Sequence, residues 1–214
     1  MQQPSAAPPQ RERNAAATKQ RLLDAAEGEF AARGFAGARL REIALAAGVQ
    51  PALIHHYFTD KQGLYRAVLD RALYPTSTES WSLLSSRHDL EELLTGFIEM
   101  LLRFYAAHRN LLAILRHEAL CGSTVFVDVC RERTQPVIEA VKLLIEERQR
   151  KGEIRADVPA TEIILAALSM AVYPFADAGI CEVMMPGAVV RDDAALERRT
   201  RAIVAILLGG VRAT

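Results

Sequence analysis

Apolar residues recur at three- and four-residue spacings along almost the whole chain, and no stretch alternates apolar and polar residues. Leu22, Ala26 and Phe30 show this spacing near the N-terminus, and the segment 90–104 repeats it. Residues spaced in this way share one face of an α-helix, whereas a strand needs a period of two. Aromatic residues make up only 6% of the chain, while Ala and Leu are abundant, which also favours helices. The sequence therefore predicts an all-α fold without internal repeats.

Capping residues and helix breakers set the bounds of about nine predicted helices. Asp60, Asp89 and Asn110 are suited to N-caps, and Gly34 and Gly122 to helix ends. The loop predicted over 178–190 is rich in Met, Pro and Gly. The predicted helices cover residues 15–33, 39–46, 50–57, 61–73, 89–107, 110–120, 124–151 with a break or kink at Pro136, 159–173 and 193–208.

Composition narrows the class of protein. The chain has 26 basic and 26 acidic residues, which excludes a highly basic nucleic-acid coat protein. Residues 1–74 nevertheless hold 10 basic against 7 acidic groups, which fits a small polyanion-binding domain at the front. The three cysteines lack the spacing of a disulfide framework, which predicts a reduced protein. The N-terminus has no apolar signal core, and the longest apolar run, 163–176, is too short to span a bilayer. The sequence therefore predicts a cytoplasmic protein with no membrane contact.

The chain divides into three predicted parts. Residues 1–14 are rich in Pro, Gln and Ala and are predicted to be a disordered tail. Arg11 and Arg13 in this tail either contact nucleic acid or are simply solvated. The rest of the chain is predicted to form two helical domains, residues 15–62 and residues 63–214.

Ala47-Gly48-Val49 lies between two short predicted helices, which is the sequence pattern of a helix-turn-helix. Gly48 suits a sharp reversal because glycine adopts positive φ easily. The second helix, with Pro51 at its first position, would enter a DNA major groove. Helical periodicity turns Val49, Ile54 and Phe58 inward and leaves Gln50, Pro51, Ala52, His55 and Tyr57 available. Taken alone, this pattern also fits a chance helical hairpin.

The stretch from Leu22 to Tyr65 resembles the DNA-binding domain of the tetracycline-repressor (TetR) family. The resemblance implies a dimeric transcription regulator, usually a repressor that a small molecule releases from its operator. The length of the chain and its all-helical remainder agree with this. The residues that carry the resemblance are Leu22-Leu23-Asp24-Ala25-Ala26, Phe30, Gly34-Phe35, Leu40-Arg41-Glu42-Ile43-Ala44, Ala47-Gly48-Val49, Ile54-His55-His56-Tyr57-Phe58 and Asp60-Lys61.

The resemblance also implies roles for single residues. Tyr57 and Lys61 match positions that hold phosphates in the family, and both side chains are natural phosphate donors. Lys61 also begins a helix whose N-terminal dipole favours an anion; the alternative is a solvated lysine. Of the adjacent pair His55 and His56, one either packs or contacts a phosphate instead of reading a base. The base-facing positions match Gln50, Pro51, Ala52 and His55, and Gln50 can pair with adenine.

The chain departs from the family pattern at three places. Ala38 and Arg39 stand where two small hydroxyl residues are usual, so the helix cap is in doubt, and Arg39 would replace the phosphate contact with a charged one. Leu53 stands where threonine is common. Pro51 and Ala52 are poor hydrogen-bonding residues, so readout is expected to depend more on thymine methyl groups and DNA shape.

The last two long helices, 159–173 and 193–208, are expected from the resemblance to form a four-helix bundle with a second chain, giving a homodimer. Their apolar faces are wider than one small core needs. The alternative is that these residues belong to the core of a single chain. The predicted interface residues are Leu168, Ala171, Val172, Leu196, Ile203, Ile206 and Leu207.

A ligand pocket is expected among the predicted helices 89–107, 110–120, 124–151 and 159–173. His117 would orient the ligand, with Tyr173 or Ser169 as further polar groups, and the ligand itself is expected to be a hydrophobic or amphipathic small molecule. The alternative is that these side chains are ordinary core. The candidates are Phe97, Met100, Phe104, His117, Cys121, Phe126, Met170 and Tyr173.

Other chemistry has weaker support in the sequence. His117-Glu118-Ala119-Leu120-Cys121 nearly reproduces a zinc motif, but it lacks a third ligand nearby. Cys121 or Cys130 would be either an oxidation sensor or an inert thiol. Phosphate-loop, dinucleotide and nucleophile-elbow motifs do not stand out, so neither catalysis nor a cofactor or metal is expected. The alternative function is a small metal-binding or enzymatic helical protein that contains a helix-turn-helix.

Overall fold

The computed structural model describes residues 10–73 and 89–212, with side chains from residue 14 onward. This part of the chain is all-helical, as predicted, and its only extended pairing is an isolated bridge between Ile154 and Arg212. Eleven helices lie in the described ranges: α1 (Gln10–Gly37), α2 (Leu40–Ala46), α3 (Ala52–Phe58), α4 (Lys61–Leu73), α5 (Leu90–Ala107), α6 (Arg109–Cys121), α7 (Thr124–Arg133), α8 (Gln135–Arg150), α9 (Ala160–Ala176), α10 (Ala178–Met184) and α11 (Asp193–Val211).

Two differences account for the larger number of helices. The segment 124–151 is two helices that meet at Thr134, and Pro136 lies at the start of α8, where its missing N–H has no helical partner to lose. Residues Ala178–Met184 form helix α10, so the prediction of a loop over 178–190 is wrong for this part of the segment. Cys181 is buried on this short helix, so tertiary packing outweighs the loop-like composition.

At the N-terminus, α1 begins at Gln10. The predicted tail over residues 1–14 therefore overlaps the first turns of this helix. The remainder of that tail, residues 1–9, lies outside the described residues. Gly34 has a φ of 66° and interrupts α1 close to the predicted helix end.

Aspartate side chains cap three of the helices, and two of them, Asp60 and Asp89, are the predicted caps. Asp60 accepts a hydrogen bond from the Gly63 amide at 2.7 Å, and Asp89 and Asp192 cap α5 and α11 in the same way. The predicted cap at Asn110 is wrong. Its amide instead donates to Glu27 across 3.2 Å, and α6 begins one residue earlier without a side-chain cap.

Two large apolar cores hold the chain together. The first lies under α1–α4, here called the head, and includes the fully buried side chains of Phe30, Ile54 and Tyr65. Helices α6 and α7 contribute Leu111 and Val129 to this same core. The second core lies among α5, α8, α9 and α11, here called the body, and is built around aliphatic side chains. The head is therefore completed by helices that follow it in the chain.

A proline inside α9 leaves one backbone carbonyl without its helical donor. Pro174 is buried within the helix and has no N–H to give to the carbonyl of Met170 four residues earlier. Arg199 of α11 donates from Nη2 to this carbonyl at 3.0 Å. The guanidinium thus satisfies the acceptor that the proline exposes, and it joins α9 to α11.

Replacing Arg199 with alanine should lower the free energy of unfolding by about 1–2 kcal/mol, because the Met170 carbonyl then lacks a donor in a partly buried place. In a Pro174→Ala background, the new backbone N–H serves that carbonyl, so Arg199→Ala should cost about 1 kcal/mol less. Urea denaturation of the four variants gives this coupling, with Arg198→Ala as the exposed control. An equal cost in both backgrounds would contradict the assignment.

Candidate DNA-binding site and its junction with the body

The helix-turn-helix predicted from the sequence is formed by α2, the turn 47–49 and α3. Gly48 has a φ of 65°, and the amide of Val49 donates to the Ala44 carbonyl at 3.0 Å, which closes the turn. Ile54 and Phe58 are buried and Val49 is half-buried, as their spacing predicts. These three side chains anchor α3 and determine which of its faces points outward.

The outward face of α3 carries the residues predicted to face DNA bases. The exposed residues here are Gln50, which carries an amide, Pro51 and Ala52, which have no hydrogen-bonding side-chain group, and the imidazoles His55 and His56. Pro51 occupies the N-cap position and not the predicted first helical position, since α3 begins at Ala52. Tyr57 is half-buried, and its ring lies edge-on to His56 at 4.9 Å.

Lys61, at the start of α4, is held in place by the head. Its Nζ donates to the Ala36 carbonyl at 3.2 Å and lies 5.0 Å from the centre of the Phe35 ring. Partial burial lowers the pKa of Lys61, and the nearby carboxylate of Glu29 opposes that shift. Lys61 is therefore oriented by contacts within the head. One ammonium N–H is used within the protein, which leaves two for an external anion.

Helix α2 begins without a side-chain cap from its own N-cap residue. Arg39 occupies the N-cap position, and its side chain makes no cap hydrogen bond. Its backbone amide instead donates to the Glu29 carboxylate at 3.3 Å. A carboxylate from α1 thus serves an amide at the start of α2, and the exposed Arg39 guanidinium stays available on the surface.

Two cations beside the turn were missed by sequence reasoning. Lys19 places its ammonium 5.8 Å from the centre of the Phe58 ring, and an Arg21 nitrogen lies 3.9 Å from where a Cβ on Gly48 would be. Both residues are exposed on α1. Their position depends on how α1 crosses the turn, and no local sequence pattern predicts that crossing.

A buried carboxylate joins the head to α6. Glu118 of α6 is only 5% exposed, and its two oxygens accept from the Tyr65 hydroxyl of α4 and from the Ser123 amide, each at 2.6 Å. Burial, together with the hydrogen bond and negative charge of Glu118, raises the pKa of Tyr65. Tyr65 therefore stays a hydrogen-bond donor at any physiological pH.

His117 joins the head at the neighbouring position. Its Nε2 lies 3.2 Å from the Ala31 carbonyl of α1, so this nitrogen donates. A Cβ on Gly34 would lie only 3.0 Å from His117 Cγ, so the two helices pack closely here. The sequence places His117 in an apolar ligand pocket. In the structure its imidazole instead contacts α1, and His117 does not line the apolar cavity of the body.

An apolar cavity lies in the body among α5, α8, α9 and α11. Its volume is about 40 Å³, which is enough for roughly three waters. That space is small for an organic ligand. The residues around it carry no polar side chain: Leu93, Leu94, Phe97, Val141, Leu144, Ile145, Ile163, Ile164, Ala167 and Leu207.

The structure separates the predicted ligand residues into several places. Phe97 lines the cavity, and Met100 and Met170 pack against the same core. Phe104, near the end of α5, and Phe126, on α7, instead pack against the head core. His117 and Cys121 border a second, partly polar cleft between α1 and α6, and Tyr173 is exposed.

The predicted interface residues divide between core and surface. Ala171, Leu196, Ile203 and Leu207 are buried within the chain itself, so they are not on a face that a partner reaches. Leu168 and Val172 are half-buried, whereas Ile206 is 63% exposed. The exposed apolar side of the same two helices includes Leu165, Ala166, Tyr173, Ala202, Ala205 and Ile206.

The described residues can also be checked for a metal site, a reactive thiol and a membrane-spanning helix. Within the described ranges no group of three or more potential ligands could hold a metal ion. Burial raises the pKa of the Cys130 thiol, which disfavours the reactive thiolate. No single helix among the described residues is long and apolar enough to cross a membrane; α9 and α10 reach that composition only together, and they meet at an 89° bend.

Tyr65→Phe should lower the free energy of unfolding by about 1–3 kcal/mol, because a buried carboxylate oxygen of Glu118 loses its donor. Adding Glu118→Gln should then cost less than the same change in the wild type, since the two groups form one hydrogen bond. Thermal and urea unfolding measure both values. Tyr105→Phe, another largely buried tyrosine, is the control, and full additivity of the two changes would contradict the proposed connection.

Comparison with known proteins agrees with this geometry. The family model for bacterial regulatory proteins of the tetR family matches residues 22–68, and a tetracyclin repressor-like C-terminal domain matches residues 91–207. The chain is 31% identical over 159 residues to the HTH-type transcriptional repressor SCO4008 of Streptomyces coelicolor, covering 74% of this chain and 79% of that one. It is 27% identical to the regulator RutR of Escherichia coli, covering 94% of each chain.

Solved structures show the same fold. The putative transcriptional regulator SCO4942 from Streptomyces coelicolor superposes with a TM-score of 0.69 at 22% identity, over 92% of this chain and 99% of that one. The ketosteroid regulator KstR2 of Mycobacterium tuberculosis gives 0.68 at 20% identity, over 92% and 95%. The resemblance drawn from Leu22–Tyr65 is thereby confirmed, and the chain belongs to the TetR family of helix-turn-helix transcriptional regulators.

Proposed function

We propose that this regulator is a repressor that binds a near-palindromic operator as a homodimer and leaves it when a hydrophobic or amphipathic small molecule binds the body. The observation that carries the proposal is the exposed face of α3, held by Ile54 and Phe58 and flanked by cations. A relative in Streptomyces coelicolor is named a repressor, which supports the direction of regulation. A protein that binds chromosomal DNA in this way acts in the cytoplasm.

The proposed DNA contacts divide into base-facing and phosphate-facing groups. Gln50, just before α3, and His55, on α3, are the groups for base edges in the major groove. Around them, Lys61 and Tyr57 are the groups for phosphate contacts. Arg39 adds a third phosphate contact, and Lys19 and Arg21 lie beside the turn on the same side of the head as Phe58 and Gly48. Pro51 and Ala52 contribute shape, while His56 supports the Tyr57 ring.

The proposed dimer uses the exposed apolar side of α9 and α11. Leu165 is 58% exposed and Ile206 is 63% exposed, although both are large aliphatic residues. Small residues such as Ala166 and Ala202 beside them allow close approach of helices. Burial of this face in a partner removes apolar surface from water and places two heads on one duplex.

The proposed ligand site is the apolar cavity of the body. Its lining has no hydrogen-bonding side chain, so the buried part of the ligand is expected to be hydrocarbon. Proteins with similar folds include the fatty acid degradation regulator FadR from Bacillus halodurans and the ketosteroid regulator KstR2. Because the space is small, the ligand must bind a wider form of the body more tightly than the form described here.

Lys61→Ala should weaken binding to operator and scrambled duplexes alike, because a phosphate contact carries no sequence information. The slope of log K against log salt should fall by about one. Fluorescence anisotropy at several salt concentrations measures both effects, and Lys142→Ala on α8 is the matched control. If Lys61→Ala binds both duplexes as the wild type does at every salt concentration, the phosphate role is wrong.

Leu165→Asp combined with Ile206→Asp should give a folded monomer with weak operator affinity, because two charges would then enter an apolar contact that a stable dimer needs to bury, about 1,000 Å² or more. Sedimentation equilibrium and circular dichroism report assembly and folding. Leu143→Asp is the control, since Leu143 is 62% exposed on α8, outside the proposed interface. A wild-type chain that is monomeric at micromolar concentration would contradict the dimer.

Ala167→Met should fill the cavity and lower affinity for a fluorescent long-chain fatty acid by about tenfold or more, because the added side chain occupies the same apolar space. Operator binding without the probe should be unchanged, and release by the probe should be lost. Fluorescence titration beside operator anisotropy measures this, with Ala119→Met on the exposed side of α6 as control. Equal probe affinity in both variants would place the ligand elsewhere.

A further inference from the structure

The imidazole of His55 is held in one orientation by the main chain. Its Nδ1 lies 2.9 Å from the carbonyl oxygen of Thr59. A carbonyl oxygen only accepts hydrogen bonds, so Nδ1 carries the hydrogen. A neutral imidazole has a single N–H, and Nε2 is therefore left with a lone pair. Because His55 is exposed on the outward face of α3, the ring presents a hydrogen-bond acceptor to whatever meets that face.

The carbonyl that holds His55 is itself fixed by the end of α3. Thr59 has a φ of 69°, an unusual conformation for a β-branched residue. Its amide donates to the His55 carbonyl at 3.2 Å, so the two residues exchange two hydrogen bonds. Asp60 follows directly and caps α4. The Thr59 carbonyl therefore cannot turn away without disrupting the connection between α3 and α4.

The other side chains on this face leave hydrogen-bond readout to few groups. Pro51 and Ala52 have no side-chain donor or acceptor, and the His56 ring lies against Tyr57. Gln50 has both a donor and an acceptor, so it discriminates weakly by polarity alone. His55 is different, since the Thr59 carbonyl occupies Nδ1 and leaves Nε2 as the nitrogen that faces outward.

We propose that His55 is a specificity-determining residue that accepts a hydrogen bond from the exocyclic amino group of adenine or cytosine. In the major groove, those amino groups are the hydrogen-bond donors, whereas guanine and thymine present acceptors on their own edges. The strand that His55 faces should thus carry adenine or cytosine at one position of each half-site. This inference rests on the proposed operator binding and specifies part of the operator.

The first experiment selects bound duplexes from a random library with the wild-type chain and with His55→Ala. One position in each half-site should show adenine or cytosine with the wild type and lose that preference with His55→Ala. His55→Gln should restore adenine, because its amide oxygen accepts and its amide nitrogen donates. Thr59→Gly should keep the wild-type preference, because the carbonyl that holds the ring belongs to the backbone.

The second experiment removes only the amino group of that base. Purine in place of adenine, or 2-pyrimidinone in place of cytosine, should weaken wild-type binding by about five- to tenfold, as expected for one lost hydrogen bond. The same analogue should change binding of His55→Ala by less than about twofold. Circular dichroism of each variant shows that the head stays folded.

The outcomes distinguish failure of the His55 inference from failure of the proposed operator binding. Selection of guanine or thymine at the position that depends on His55 would mean that the ring donates, and the inference would be wrong. Unchanged selection by His55→Ala, or an amino deletion that weakens both proteins equally, would also overturn it while leaving operator binding intact. If the wild-type chain enriches no sequence, the proposed operator binding fails as well.

Discussion

The buried carboxylate of Glu118 is the interaction that joins α4 of the head to α6 and the start of α7. Removing a carboxylate from water is costly, and here Tyr65 and the Ser123 amide replace its water partners. Both contacts exist only when α4, α6 and the start of α7 lie together. Apolar packing acts in the same direction, because Leu111 and Val129 complete the core of the head. The head is therefore fixed to α6 and α7.

This arrangement gives regulation a physical path. Arg116 donates to the carbonyl of Ala176 at the end of α9, while its neighbours His117 and Glu118 contact α1 and α4. Helix α9 also lines the apolar cavity through Ile164. Three consecutive residues of α6 thus connect a cavity-lining helix to two helices of the head. A ligand that releases DNA a hundredfold must supply about 2.7 kcal/mol of coupling through such contacts.

The helices and the helix-turn-helix could be predicted from sequence because their signals are local. Asp60, Asp89 and Gly122 act within a few residues of themselves, and the inward positions of Ile54 and Phe58 follow from helical period. Tertiary neighbours are not local. An apolar stripe shows that Ile203 is buried, but not whether its neighbours belong to the same chain.

The candidate site shows the same division. Gln50, Pro51, Ala52 and His55 are exposed as helical spacing predicts, but Tyr57 is half-buried. The contact of His117 with Ala31 spans 86 residues of sequence, so no local pattern predicts it. Lys19 and Arg21 were missed for the same reason. The polarity of His55 depends on the unusual backbone of Thr59, which no spacing rule predicts.

In the proposed complex, two rigidly oriented heads read successive major grooves on one face of a duplex. Binding to a selected operator with five extra base pairs between its half-sites tests this most directly. Half a helical turn places the second half-site on the opposite face, so anisotropy should show affinity falling to that for a single half-site. Ten extra base pairs restore the face but add about 34 Å, so rigid heads should still bind weakly. Affinity unchanged by the five-base-pair insertion would contradict the account.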